Sequence, residues 1–170
     1  IPLFEKDYIE DIIDTKNFSN AVNKMFNYHL PPINSCHNIK IIRDGKIILI
    51  GGYYDGKLLI IDFENNRTSL TELYPFKDES QITSIYVDKY EDYLFVGNSF
   101  GNVRIMQIEG DNVNEWKKIY LINNQMSSIR AIDINSELNV WSSASIDGCI
   151  NIYTFPLCKL TRSFYIPSDE

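Results

Sequence analysis

One hundred and seventy residues with a 44% apolar content suit one compact domain with a sizeable core. The formal charge of -7 at pH 7 argues against a protein that tracks a nucleic-acid backbone, and it offers no attraction to an anionic membrane surface. No apolar stretch is long enough to span a bilayer, and three cysteines (Cys36, Cys149 and Cys158) without Cys-x-x-Cys spacing speak against a disulfide framework or a structural zinc site. A reducing, cytoplasmic setting is the expectation. Because the chain opens on Ile1 and not on Met, it is expected to be a piece of a longer protein.

Residues 1 to 32 are poor in strand signals. Ser19, followed by Val22, Met25 and Phe26, fits an N-capped helix with one apolar face, and Pro31-Pro32 would end it. This stretch is expected to be a partly helical lead-in. From residue 33 onward the pattern changes to short apolar runs separated by turns.

The run "IILIGGYYDGKLLIIDF", residues 47 to 63, reads as a hairpin, since Asp55-Gly56 favours the left-handed conformations of a tight turn. Leu58 to Ile61 are apolar without alternation, which predicts a strand covered on both faces. The run has two echoes, "YLFVGNSFGNVRIMQI" from Tyr93 and "VWSSASIDGCINIYTF" from Val140. Aligned on Gly56, Gly101 and Gly148, each has a small residue four positions earlier (Gly52, Gly97, Ala144) and aliphatics two and four positions later. The glycines lie 45 and 47 residues apart, near the period of a propeller blade.

The flanks repeat as well. Before the hairpins come "NIKII", "ITSIYV" and "IRAIDI"; after them come "SLTELYPF", "EWKKIYLI" and "KLTRSFYI", all rich in strand formers. Three four-stranded antiparallel blades are expected, over residues 33 to 77, 78 to 124 and 125 to 170. A propeller closes with about four to eight blades. Three leave two end faces open, and an exposed apolar face of roughly 400 Å² forgoes on the order of 10 kcal/mol of burial. Residues 1 to 32, a second copy, or further blades would have to cover them.

On these residues the chain resembles the WD-repeat β-propellers, whose repeats run small-Ser-x-Asp-Gly into a strand ending in Trp-Asp. The pairs at that position here are Ile61-Asp62, Met106-Gln107 and Tyr153-Thr154, so Asp62 alone is kept and the Trp is absent. Asp55 and Asp147 hold the turn position, and Phe100 replaces Asp in the second unit. The Gly-His pair that often opens a repeat is missing too. Within that family "GGYYDGKLLIIDF" and "IYTFP" are most similar to the propeller that follows the BEACH domain in beige/neurobeachin-type proteins, over residues 33 to 166. The resemblance implies a non-catalytic scaffold for protein partners in vesicle or membrane traffic, cytoplasmic and touching membranes only through the parent protein.

No catalytic, cofactor or metal residue is expected. His29 and His37 accompany no motif, Cys36 and His37 are sequence neighbours on opposite faces of an extended chain, and neither a nucleophile elbow nor a phosphate-binding loop is present. Ser142, Ser143 and Ser145 are expected to bond backbone. Asp133 is the one clear carboxylate on an innermost strand, too few for a propeller hydrolase. In the architecture that the resemblance implies, the central turn of each blade shares a rim with the connections between blades. Tyr53, Tyr54, Phe100 and Ile146 are therefore the expected partner-binding residues, with Lys77, Gln125 and Met126 as further candidates. The same fold also serves as a subunit of other assemblies, such as ubiquitin-ligase adaptors or cytoskeletal complexes.

Overall fold

The computed structural model describes residues 38–52, 56–63, 69–110 and 112–166. All of them belong to the unit Ser35–Glu170. The lead-in with its expected helix, His29, His37, Cys36 and the Tyr53-Tyr54-Asp55 triplet lie outside the described residues. Among the described residues no helix is long and apolar enough to cross a membrane.

Among the described residues twelve strands form three antiparallel sheets, each a meander of four consecutive strands. The first blade holds β1 (Asn38–Ile42), β2 (Ile47–Gly51), β3 (Leu58–Asp62) and β4 (Ser69–Leu73). The second holds β5 (Ile82–Val87), β6 (Tyr93–Asn98), β7 (Val103–Gln107) and β8 (Lys117–Ile122). The third holds β9 (Ile129–Asn135), β10 (Val140–Ser145), β11 (Cys149–Thr154) and β12 (Leu160–Tyr165). The expected architecture of three four-stranded blades is what the chain adopts.

Register corrects one detail of the repeat. Gly97 pairs with Val103 and Ala144 with Ile150, but the residue that pairs with Leu58 is Gly51, not Gly52. The turn of the first blade is one residue longer than the others, so counting back from Gly56 lands one position late. Gly51 and Gly97 then share a physical role. A methyl on Gly51 would stand 2.8 Å from Ile82 Cγ2, and one on Gly97 2.6 Å from Ile129 Cγ2. Each glycine lets the first strand of the next blade approach closely.

Strand alternation divides the second blade between two cores. Leu94, Val96, Met106 and Ile85 pack with Leu49, Leu58 and Ile60 of the first blade. Phe95, Val103 and Ile105 pack instead with Ile129, Ile132, Trp141 and Tyr153 of the third. Strand β3 is covered on both faces as expected: Leu58 and Ile60 are fully buried, and Leu59 and Ile61 are buried on the other side.

The first strands β1, β5 and β9 contact one another in sequence, which makes them the innermost, while every residue of the outermost β12 is exposed. Lys40, Tyr86 and Asp133 occupy the same register position on these inner strands. The Lys40 ammonium sits 5.9 Å from the Tyr86 ring centre. Burial, and then the hydrogen bond to Asp133, push the Tyr86 phenol above its usual range. The far face of the third blade, which carries Ala144, Ile150, Ile152 and Phe164, is only partly covered, with Phe164 47% exposed. That is the open end face that three blades imply.

Candidate interaction rim

The central turns and the connections between blades meet at one rim. Ile82 N donates to Gly52 O (3.4 Å), Ser99 N to Gln81 O (3.0 Å) and Ile146 N to Ser128 O (2.9 Å), so each turn is tied by backbone to the connector beside it. Gly56, Gly101 and Gly148 have φ of +64°, +84° and +80°. A Cβ on each would lie 2.3, 2.2 and 2.3 Å from the carbonyl oxygens of Glu79, Gln125 and Ile166. The aligned glycines thus serve two needs at once, a left-handed turn and a backbone pressed against the following segment.

Side chains lock the same rim. In the third blade the Ser145 hydroxyl donates to Asp147 Oδ1 at 2.5 Å and accepts from Gln125 Nε2 at 2.9 Å. Gln125 Nε2 also reaches Cys149 O at 2.9 Å, and the Ser143 hydroxyl donates to Gln125 Oε1 at 2.5 Å. The Ser145 hydroxyl holds the Asp147 carboxyl below the usual range, burial works against this, and the Cys149 N–H adds to it. The network of this blade runs through an amide that can donate and accept together. In the second blade Asn98 does the equivalent job alone. Its Oδ1 accepts from Phe100 N (3.1 Å) and Asn102 N (2.8 Å), and its Nδ2 donates to Ser80 Oγ (2.6 Å). With the turn capped from Asn98, position 100 needs no Asp, and Phe100 is left 62% exposed.

Of the residues expected at the rim, Phe100, Met126 (97% exposed) and Ile146 (59% exposed) stand in the open on the adjoining turns and connector, and Lys77 is exposed on the connector before β5. Tyr53 and Tyr54 lie outside the described residues. Gln125 must be corrected: it is buried, and its amide is spent on the third blade's network, so it braces the rim from within. Ser143 and Ser145 likewise bond side chains and not merely backbone. Gln125→Ala should cost about 1–3 kcal/mol of stability, because it strips the buried Ser143 and Ser145 hydroxyls of a partner. Urea unfolding would read this, and a loss below about 0.5 kcal/mol would mean the network is not holding the connector.

Among the described residues no group of His, Cys, Asp and Glu could hold a metal. Asp133 is exposed, takes the Ile134 N–H at 2.9 Å and accepts a hydrogen bond from the Tyr86 phenol. Cys158 is buried, and burial pushes its thiol from 9.0 up to about 11, the Trp141 indole pulling slightly the other way. The folded chain therefore keeps this proton where the unfolded chain loses it. The associated stability is complete below about pH 9 and is lost as pH rises toward about 11. Cys158→Ala should flatten that alkaline decline, which thermal melts from pH 8 to 11 would show; an unchanged slope would remove the assignment.

No family model matches the chain, and no curated protein sequence matches it either. Solved structures do match. The chain is similar to a structure described as the crystal structure of RRP9 WD40 repeats, at 12% identity and a TM-score of 0.64, with 78% of this chain and 39% of that one covered. It is similar to the structure of U3-55K with the same identity, score and coverage. The chain spans about two fifths of the length of these structures. At such identity the likeness is one of fold, and it does not distinguish one branch of that fold from another. Three four-stranded meanders, their repeated glycine turns and these neighbours together make the fold that of a partial WD-repeat β-propeller, of which the described residues form three blades.

Proposed function

We propose that the chain is a non-catalytic protein-interaction scaffold that presents Phe100, Met126 and Ile146 to a protein partner. The observation that carries this reading is the exposure of three large apolar side chains on adjacent rim segments whose backbone is held fixed beneath them. Large apolar and aromatic groups on a rigid support cost little entropy to bury and are the usual interface anchors. Tyr53 and Tyr54 join them on the strength of their place in the sequence repeat. The acidic character of the chain steers basic partners at low salt.

The finer reading is that the parent protein is a BEACH-type scaffold of vesicle or membrane traffic, cytoplasmic and peripheral to membranes. The sequence resemblance over residues 33 to 166 supports it. Sequencing the parent transcript upstream of residue 1 tests it: an encoded BEACH domain sustains the traffic role, and plain WD repeats remove it. The rim is tested separately. Phe100→Ala, Met126→Ala and Ile146→Ala combined should weaken a purified partner's affinity at least tenfold with the melting temperature unchanged, and undiminished affinity would reject this rim.

A further inference from the structure

A second cluster of side chains lies on the seam between the first and second blades. Arg104 of β7 donates from Nε to Pro75 O at 2.9 Å, and Lys118 of the edge strand β8 donates from Nζ to Tyr74 O. Two cations are thus pinned to successive carbonyls of one connector. Two residues further along that connector stands Lys77, exposed and close enough for its charge, with that of Arg104, to act on Lys118. Among the described residues no carboxylate forms an ion pair with any of the three. Glu72 is taken by Lys57 at 3.4 Å, and the exposed Asp78 beside Lys77 accepts the Ser80 N–H at 3.2 Å and pairs with none of the three cations among the described residues.

Three gathered cations are unusual in a chain of net charge -7. The carbonyl partners of Arg104 and Lys118 satisfy hydrogen bonds without neutralising their charge. Arg104 is half-buried, with Nε and Nη1 each on one carbonyl and, among the described residues, no hydrogen bond from Nη2, which leaves part of the guanidinium fork available. A fork flanked by two ammonium groups matches a tetrahedral dianion better than a single carboxylate, which needs one cation or one fork. We propose that Arg104, Lys118 and Lys77 form a binding site for a phosphoryl group, borne by free phosphate or by a phosphorylated side chain. Burial and the neighbouring cations already lower the Lys118 ammonium from its usual range, and a bound dianion would reverse that.

The test uses the full 170-residue chain, labelled with nitrogen-15 and titrated with inorganic phosphate, sodium chloride holding ionic strength constant. A parallel titration uses one heptapeptide with a central serine and its phosphoserine form. The Arg104 Nε–H resonance should shift saturably with phosphate, with phosphopeptide, or with both, and not with chloride or the serine peptide. Response to phosphopeptide alone identifies the attached phosphoryl group as the ligand; equal response to phosphate identifies the free anion. Lys77→Gln, which removes a side chain bonded to nothing among the described residues, should weaken binding about two- to fivefold. Arg104→Lys, keeping charge but losing the fork, should weaken it at least tenfold. Phe100→Ala should leave it unchanged, which keeps this site separable from the rim. No saturable shift, or a shift indifferent to both Lys77→Gln and Arg104→Lys, overturns the proposal.

Discussion

Gly101→Ala is expected to destabilise the chain by more than about 3 kcal/mol, and Gly110→Ala by only about 1 kcal/mol, although both glycines have φ of +84°. The two sites share the conformational cost of placing an L-residue in the left-handed region. They differ in space. Nothing lies within 4 Å of a Cβ on Gly110, whereas one on Gly101 would meet Gln125 O at 2.2 Å, Gln125 C at 2.5 Å and Ser127 O at 3.0 Å. Those are backbone atoms, so no side chain can swing aside; the connector itself must move. Moving it withdraws Gln125 from Ser143 and Ser145, and buried hydroxyls left unpaired add about 1–3 kcal/mol. Urea denaturation of the two variants side by side measures the difference. If they agree within about 0.5 kcal/mol, the close approach of turn and connector carries no energy, and turn conformation alone explains the repeated glycine.

That comparison also shows where the sequence was readable and where it was not. Gly56, Gly101 and Gly148 could be aligned because a left-handed turn is a local demand written in a few adjacent residues. The carbonyls that press on two of them come from residues 23 and 24 positions later, in connectors with no shared sequence pattern. The same limit explains Gln125. A polar residue in a connector reads as exposed, and only the fold shows Ser143, Ser145 and the Cys149 carbonyl gathered to bury it. Phe100 in place of Asp looked like decay of the repeat, because Asn98, two positions earlier, takes over the capping from a position the motif does not specify. The one-residue shift from Gly52 to Gly51 has the opposite origin: spacing was counted through a turn whose length varies, while strand pairing counts through the sheet. The placement of Phe100 and Ile146 on corresponding turns was legible because turns at a common repeat position emerge on a common side.

Trp141→Ala should cost about 3–5 kcal/mol and should separate the third blade from the other two before the rest unfolds. Trp141 is 1% exposed and stacks on Tyr153 with ring centres 4.1 Å apart and planes 12° apart, while Phe95 of the second blade lies 5.3 Å from it. These contacts are the centre of the core between the second and third blades, and Trp141 has no place in the core between the first and second. Truncation therefore leaves a cavity at one seam only. Trp141→Phe, which keeps an aromatic partner for Tyr153, should recover more than half of the loss. Native-state hydrogen exchange tells the outcomes apart: amides of β10 and β11 should lose protection in Trp141→Ala while those of β2 and β3 keep theirs. Equal loss in all three blades would mean the two cores melt as one unit. The distinction bears on binding, because Phe100 belongs to the second blade and Ile146 to the third. If the seam at Trp141 opens independently, the spacing of those anchors is set by this one aromatic stack, and Trp141→Ala should weaken a rim partner more than a first-core truncation such as Leu49→Ala of equal destabilisation.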